Sequence, residues 1–317
     1  MAPSIILHHY AGSPFAEKIR LALDLKGLQW FSVEHSNVMP RPLLEPLAHG
    51  YRRIPVLQIG QDVYCDTSLI LDILEERQVP LYPKGTPNKG WIKAFSLWTD
   101  GPFFQLNTSL LPWGKLNEQF LKDREQFVGR KIRQADPATT ERITSTLAAH
   151  YAVLDSILSD GRQFLAGEQP TLADVHGYMH PWFLLAIRQG KDMLGPDLKN
   201  YPHMAQWMKR VKETATKRKH AQSYQKLDPS KAIDLAEMQS KVPSGQGERP
   251  FPIQYSLGST ISVTPDDTGR VPVKGKVVFC SNERIAIRPY AVSGQGVDTR
   301  VWFPRMGYSV QVHDAKL

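Results

Sequence analysis

Cysteine is scarce in this chain of 317 residues, and long apolar runs are missing. The two cysteines, Cys65 and Cys280, cannot form a disulfide framework and indicate a reducing compartment, most simply the cytoplasm. No apolar stretch approaches the roughly 20 residues that a helix needs to cross a bilayer, so we expect no membrane partner. The first residues lack the basic start and long apolar run of a signal peptide, which is therefore not expected.

Acidic residues are outnumbered by basic ones, 31 to 39, which gives a formal net charge of +8. Nucleic-acid binding needs a localised basic face, and the basic stretch at residues 209–220 is interpreted as a solvated helix end. Nucleic acid is therefore not an expected partner. The hydrophobic share of 41% and the charged share of 22% are typical of a folded globular protein, and the length predicts two or three domains.

Residues 10–15, Tyr-Ala-Gly-Ser-Pro-Phe, are the first candidate for chemistry. They follow an apolar run at 5–7 that predicts a buried strand, and they lead into helical spacing of apolar residues. Gly12 allows a sharp turn, Ser13 is a favoured N-cap, and Pro14 suits the first helical position. The Ser13 hydroxyl is therefore expected at a helix N-terminus, where free N–H groups and the helix dipole favour an anion such as a thiolate.

The following residues complete a strand–helix–strand, hairpin and helix order. Residues 29–34 predict a second strand, and residues 56–59 and 63–65 predict a hairpin. Pro55 stands at the start of the first hairpin strand, where a sheet tolerates proline. Residues 66–74 begin with helix-start residues and continue with helical apolar spacing.

Three motifs in this order resemble the glutathione transferases: Ser-Pro-Phe-Ala-Glu-Lys-Ile-Arg at 13–20, Ile-Pro-Val-Leu at 54–57 and Asp-Thr-Ser-Leu-Ile at 66–70. The first is similar to the Ser-Pro-Phe run of the plant tau class and to the Cys-Pro-Phe-Ala of the omega-like classes. The resemblance implies an α/β thioredoxin-like domain over residues 1–83, with glutathione as co-substrate and no metal.

The resemblance also implies what the site residues do. Ser13 would donate a hydrogen bond to the glutathione sulfur and favour the thiolate, with Tyr10 as a rival hydroxyl; a free thiol has a pKa of about 8.5. Pro55 would be cis, which would turn the backbone of Ile54 outward to pair with the peptide part of glutathione.

The charged ends of glutathione are assigned in the same way. Arg53 would meet the glycyl carboxylate, Asp66 the γ-glutamyl amine, and Thr67 the γ-glutamyl carboxylate. The family usually has Glu-Ser where this chain has Asp66 and Thr67. The residues implied in binding glutathione are Phe15, Arg53, Ile54, Pro55, Asp66 and Thr67.

Residues 88–225 have helical spacing, and the resemblance implies the all-α domain of glutathione transferases. The stretch at 164–175 is similar to the family's start of a core helix. Thr171 and Asp174 have the form of a capping box, so Asp174 is predicted to be a folding residue rather than a catalytic acid.

An acceptor substrate is expected between the two domains, above the start of the first helix. The acceptor is expected to be a small apolar electrophile, because the candidate wall residues are mostly aromatic. His176 and His180 are four apart on a predicted helix, but no matching acids or cysteines accompany them, so no metal site is predicted. The candidates for the acceptor pocket are Trp98, Phe103, Phe104, Trp113, His180, Trp182 and Phe183.

The last segment, residues 245–317, is predicted to be a small all-β extension. Short strands are indicated at 275–280, 284–288, 299–303 and 307–312, and their number suggests a small barrel or sandwich. Some fungal transferase-like proteins carry comparable extensions. The segment is expected to pack on the transferase body, at the pocket rim or at an oligomer contact.

The leading hypothesis is an enzyme that binds glutathione as thiolate and adds it to an apolar electrophile. An isomerase or dehydratase of natural-product biosynthesis, in which glutathione adds and leaves or takes no part, is an alternative. A non-catalytic interaction scaffold with a transferase fold is another. The resemblance implies a homodimer, and a tail of this length could block the usual interface.

Overall fold

The computed structural model describes residues 4–77, 79–82, 89–188, 195–220, 223–238, 255–290 and 297–313. The expected domain boundaries at 83–88 and near 245 lie outside these residues. The strands are β1 (Ile5–His9), β2 (Phe31–Glu34), β3 (Val56–Ile59), β4 (Asp62–Cys65), β5 (Gln225–Lys226), β6 (Thr260–Pro265), β7 (Val273–Cys280), β8 (Arg284–Pro289), β9 (Arg300–Pro304) and β10 (Tyr308–Val312). The helices are α1 (Pro14–Leu25), α2 (Glu45–Ala48), α3 (Thr67–Glu75), α4 (Lys89–Trp98), α5 (Phe104–Ser109), α6 (Glu118–Val128), α7 (Pro137–Ile157), α8 (Leu172–Arg188), α9 (Pro202–Arg218) and α10 (Pro229–Met238).

The N-terminal strands form the order predicted from the sequence. The buried strand β1 pairs in parallel with β2 and antiparallel with β3, which in turn pairs antiparallel with β4. Helix α1 connects the two parallel strands, and α3 follows the hairpin. The peptide bond between Ile54 and Pro55 is cis, as expected. This arrangement confirms the thioredoxin-like architecture.

The middle of the chain is helical, as predicted, and Asp174 holds the start of α8. Its carboxylate accepts hydrogen bonds from Thr171 N at 2.7 Å, Leu165 N at 2.8 Å and Trp207 Nε1 at 2.7 Å. Asp174 is fully buried, so these donors replace the water that the carboxylate has lost. The contacts support a structural role for this residue. None of the described helices is both long enough and apolar enough to cross a bilayer.

Helix α4 does not run directly into α5. A π-helical turn at Thr99–Phe103 separates them, with Pro102 inside it and non-helical angles at Gly101 (φ −99°, ψ −105°). Proline lacks the N–H that a regular helix needs, which accounts for the break at this point. The turn places Asp100 against α1 and Phe104 beside Phe15, so both contacts of the candidate site depend on it.

The C-terminal strands correct the expectation of a separate barrel or sandwich. They form a single row in the order β10, β6, β7, β8, β9, and β9 pairs in parallel with β4, which extends the N-terminal sheet. Val63 of β4 packs in the same buried cluster as Val301, Ile285 and Ile261 of the tail strands. The strands themselves agree with the prediction, but they share a core with the first domain because the free edge of β4 accepts them.

The junction between β4 and β9 carries an ion pair. Arg300 is 8% exposed and donates to the Asp62 carboxylate from Nε at 2.6 Å and from Nη2 at 2.7 Å, and Trp302 Nε1 donates to the same group at 2.8 Å. The opposite edge of the sheet is also covered, because β5 pairs with β2. The chain beyond the helical domain therefore reaches both edges of the N-terminal sheet.

Candidate active site

The start of α1 has the geometry expected of an anion site. Ser13 is the N-cap (φ −78°, ψ 123°), and its hydroxyl oxygen accepts a hydrogen bond from Ala16 N at 3.2 Å. The backbone N–H of Ser13 donates to the carbonyl of Tyr10 at 3.2 Å, which fixes the tight turn between β1 and α1. Within the described part of the chain, the hydroxyl hydrogen of Ser13 has no acceptor, so it can be donated to a ligand.

The loop before β3 presents an unpaired piece of backbone. The cis bond lies between Ile54 and Pro55, and Ile54 is partly exposed. Neither the N–H nor the C=O of Ile54 is hydrogen-bonded among the described residues. Backbone groups near a protein's core are nearly always paired, so this pair is available to a peptide-like ligand.

The start of α3 holds Asp66 and Thr67, the residues expected to bind the γ-glutamyl end of glutathione. Asp66 caps the helix with its carboxylate, which accepts from Ser68 N at 2.9 Å, and its backbone has a positive φ of 73°. Thr67 is buried, and its hydroxyl accepts a hydrogen bond from Lys18 Nζ at 3.2 Å. Lys18 comes from α1, so its side chain links the two helix starts that face the site.

Lys18 is fully buried and paired with Asp100 from the π-helical turn. The Nζ atom lies 2.6 Å from Asp100 Oδ2 and 5.7 Å from the centroid of the Phe15 ring. Burial alone would raise the pKa of Asp100, but the Lys18 ammonium and the nearby His176 ring, whose Nδ1 lies 3.8 Å from Asp100 Oδ1, hold it below its usual value. Burial lowers the pKa of His176 to about 4, so this histidine is neutral near pH 7. The Asp100 carboxylate is therefore ionised near pH 7, and its contact with Lys18 ties α1 to the helical domain.

Arg53 is contacted by the C-terminal tail. Its Nε and Nη2 atoms donate to the carbonyl of Thr268 at 3.0 and 2.6 Å, and Nη2 also donates to the Asp267 carboxylate. On its other side, Nη1 lies 3.7 Å from Asp66 Oδ2. The residue expected to bind the glycyl carboxylate of glutathione therefore already has protein partners.

Tyr308 of β10 also reaches this end of the site. Its hydroxyl lies 2.7 Å from that of Tyr51 and donates to Asp66 Oδ2 at 3.3 Å. Burial raises the pKa of both tyrosines well above the usual value, so both hydroxyls stay protonated. A carboxylate offers about four acceptor positions, so Asp66 retains capacity for an amine.

An aromatic row leads from the start of α1 towards the helical domain. The rings of Phe15 and Phe104 are 4.6 Å apart, and Phe104 lies 6.1 Å from Phe183 of α8. Phe104 and Phe183 were both among the residues predicted to line an acceptor pocket. Trp113 and Trp182 are each partly exposed, the first in a 3₁₀ turn and the second on α8.

Two other predicted wall residues, Phe103 and His180, are buried in the core instead, and Trp98 is partly exposed beside it. Phe103 is fully buried, and its ring stacks on that of His180 at 4.0 Å. Trp98 stacks on His150 and donates its Nε1 hydrogen to Nδ1 of that residue at 3.0 Å. The prediction failed for this group because helical spacing does not reveal which face of a helix meets the cleft and which meets another helix.

Several residues at the site were not anticipated from the sequence: Lys18, Asp100, Asp267, Thr268 and Tyr308. No local signal in the sequence places the turn at Asp267 and Thr268 beside Arg53. No group of three or more His, Cys, Asp or Glu side chains suited to a metal occurs among the described residues. Cys65 and Cys280 are both free and buried.

Two family models match the chain. The glutathione S-transferase N-terminal domain matches residues 7–81, and a domain of unknown function (DUF7962) matches residues 107–220. A curated relative, pyrimidodiazepine synthase of Drosophila melanogaster, is 27% identical over 213 residues, which are 63% of this chain and 73% of that protein.

Solved structures agree with these matches. A GST-like protein from Pseudomonas syringae is 29% identical, with a TM-score of 0.76, and the match covers 99% of this chain and 100% of that one. Rice GST1 in complex with glutathione is 18% identical, with a TM-score of 0.51, over 77% of this chain and 100% of that chain, and shows the fold alone. The first match includes the C-terminal strands. Residues 7–81 therefore form a glutathione S-transferase N-terminal domain, and the motifs, the fold and these relatives support the glutathione S-transferase superfamily for the chain.

Proposed function

We propose that the chain is an enzyme that binds glutathione as its thiolate and adds the sulfur to a small apolar electrophile. The observation that carries the proposal is the Ser13 hydroxyl, which caps α1 with its own hydrogen free among the described residues. The open backbone of Ile54 and the expected γ-glutamyl ligands at Asp66 and Thr67 provide the rest of a peptide site.

Ser13 acts on the nucleophile. The glutathione thiol releases its proton to solvent, and the Ser13 hydroxyl donates a hydrogen bond to the resulting sulfur anion, as the positive end of the α1 dipole also favours. The sulfur then forms a bond to the electrophilic carbon, with the acceptor held against Phe15, Phe104 and Phe183. In an activated double bond the π electron pair moves to the neighbouring atom and takes a proton from solvent, and in an aryl halide the carbon–halogen bond breaks and halide leaves with its electron pair. Stabilisation of the anion and proximity in the cleft provide the rate enhancement.

The test is a comparison of Ser13→Ala with wild type, using glutathione and a general aromatic electrophile. We expect kcat/KM to fall by about 100-fold, the usual effect of removing a donor to a developing anion. The dissociation constant for glutathione should change by less than about threefold, because one hydrogen bond to sulfur is a small part of its binding.

Ser13→Thr is the matched control, because threonine keeps both the hydroxyl and the N-cap. It should retain most of the activity, while Tyr10→Phe should have little effect. Full activity in Ser13→Ala would contradict the role of Ser13, and loss of activity in Tyr10→Phe would assign it to Tyr10. Glutathione at 100 times its dissociation constant should stabilise wild type by about 2.7 kcal/mol; no stabilisation would favour the non-catalytic scaffold.

A second candidate is an isomerisation or elimination in small-molecule biosynthesis, where glutathione is regenerated or takes no part. The similarity to a protein named pyrimidodiazepine synthase favours it. Mass spectrometry of the products distinguishes the two, since conjugation consumes one glutathione for each acceptor. A cytoplasmic location and a homodimer belong to the same proposal and are tested by fractionation and by light scattering.

A further inference from the structure

The turn between β6 and β7 lies on the end of the site that the proposed function gives to the glycyl residue of glutathione. The carbonyl of Thr268 accepts hydrogen bonds from Nε and Nη2 of Arg53, and the carboxylate of Asp267 accepts one from Nη2. Both partners come from the tail, more than 200 positions away in the sequence. The tail therefore fills the hydrogen-bonding positions that a ligand carboxylate would use.

The turn is held in place from both sides. Gly269 donates its N–H to the carbonyl of Phe127 on α6 at 2.7 Å, and Asp266 donates its N–H to the carbonyl of Gly307 at 3.0 Å. The Ser309 hydroxyl also donates to the Asp266 carboxylate. These contacts anchor the turn to the helical domain and to β10, so its position over Arg53 does not depend on the arginine alone.

The geometry of the guanidinium group determines what can still bind. A carboxylate binds arginine most strongly through two parallel N–H bonds along one edge of the fork. The Nε–Nη2 edge of Arg53 is taken by Thr268 and Asp267, and Nη1 faces Asp66. The carboxylates of Asp267 and Asp66 already lie beside the Arg53 guanidinium. A ligand carboxylate would therefore have to displace the turn or become the third negative charge around one positive charge.

We propose that the turn supplies the anion for Arg53, so that the site binds γ-glutamyl-cysteinyl thiols without requiring a carboxylate on the third residue. This inference rests on the proposed function. The γ-glutamyl end would still be held at Asp66 and Thr67, and the cysteinyl part at Ile54 and Ser13. The glycyl carboxylate of ordinary glutathione contributes little to binding, because its partner is already satisfied.

The test compares glutathione with its glycinamide analogue, in which only the terminal carboxylate is replaced by a neutral amide. Binding of each to wild type is measured by calorimetry. We expect the two dissociation constants to agree within about threefold, or the amide to bind more tightly. If Arg53 bound the glycyl carboxylate, removing that charge would weaken binding by about 10-fold or more, and this result would overturn the inference.

Asp267→Asn sharpens the comparison, because it removes one anion from Arg53 at an exposed position. We expect the ratio of the KM for the amide to the KM for glutathione to rise by about threefold or more relative to wild type. The kcat values should not change. Asp266→Asn is the matched control, since this neighbouring exposed residue does not contact Arg53, and asparagine keeps an oxygen that can accept the Ser309 hydrogen bond that anchors the turn. An unchanged preference in Asp267→Asn would contradict the inference.

The outcomes separate this inference from the proposed function. If glutathione binds at least 10-fold more tightly than the amide and supports conjugation, the inference fails and the proposed function stands. If neither thiol binds, both fail. If both thiols bind equally and support conjugation in wild type, and the preference changes in Asp267→Asn, both are supported.

Discussion

The α1 end of the candidate site is built from neighbours in sequence, whereas the α3 end depends on residues from the far end of the chain. At the α1 end, Ser13 caps the helix through a contact with Ala16, three residues away. At the α3 end, Arg53 meets Asp267 across 214 positions and Asp66 meets Tyr308 across 242. Both ends start a helix, and both were predicted to bind glutathione.

The two ends differ in how many of their polar groups already have hydrogen-bond or ion-pair partners within the protein. The Ser13 hydroxyl keeps a hydrogen to donate within the described chain, while the charged groups at the α3 end have partners from the tail. The proposed function therefore assigns thiol activation to the α1 end, and the further inference assigns recognition of the third residue of the thiol to the α3 end. Perturbations confined to one end should therefore leave the other unaffected.

The largest change in unfolding free energy is expected from acidification. It arises from two histidines on β1, the strand that leads into α1. Burial lowers the pKa of both His8 and His9 on β1 from 6.5 to about 4. Between these values the unfolded chain takes up protons that the folded chain does not, so stability is complete above pH 6.5 and is lost as the pH falls towards 4. For the two groups together the loss in unfolding free energy at pH 5 is about 4 kcal/mol, measured by urea unfolding across this range.

His9→Gln assigns this effect to the histidines. It should flatten the dependence of the unfolding free energy on pH, whereas His203→Gln, at an exposed position on α9, should leave it as in wild type. The same steep slope in His9→Gln and wild type would show that other groups cause the acid sensitivity.

A smaller effect is expected at the junction that carries the tail to the α3 end. Asp62→Ala leaves the buried Arg300 and the indole N–H of Trp302 without their acceptor. We expect a loss of about 2–3 kcal/mol in unfolding free energy, because breaking a buried pair leaves an uncompensated charge. Urea denaturation measures the change.

Asp298→Ala is the control for this prediction. It removes the same kind of side chain from a pair with Arg288 in which both residues are more than half exposed (57% and 54%). Such a pair contributes about 0–1 kcal/mol. Equal losses in the two variants would mean that the β4–β9 junction does not hold the tail in the way we describe.

The smallest effect is expected at the turn over Arg53. Gly269 has a φ of +57°, and a Cβ atom there would lie 2.6 Å from Phe127 Cε2. Gly307 also has a positive φ, +79°, but nothing lies within 4 Å of its Cβ position. Gly269→Ala should therefore cost about 1–2 kcal/mol more than Gly307→Ala in thermal or urea unfolding, the difference being due to crowding. Similar losses would show that the turn does not pack closely against α6.

Much of the first two domains could be predicted because their signals are local. Apolar spacing and the N-cap residues Ser13 and Asp66 place β1, α1 and α3, and the Thr171–Asp174 pattern places the start of α8. The acceptor wall was predicted less well: Phe104 and Phe183 lie in the aromatic row, but Phe103 and His180 stack in the core. Spacing along a helix identifies an apolar face and does not say what packs against it.

The strands of the tail were predicted, and their partner was not. The valine and aromatic residues predict a strand at 299–303, but backbone hydrogen bonds are the same for every sequence, so the pattern does not say which edge the strand will join. The pairing of Val63 with Val301 could be found only in the folded chain. The expectation of a small barrel or sandwich was wrong for this reason, whereas these strands do pack on the first domain as expected.

The amino-acid order alone fixed a serine at the first turn of α1, the strand and helix succession around it, and the capped core helix of the second domain. Only the tertiary structure shows that β9 pairs with the edge of β4 and that Asp267 and Thr268 accept hydrogen bonds from Arg53. Contacts within one turn of helix depend on a few adjacent side chains, whereas contacts between distant strands depend on shape and burial throughout the sheet.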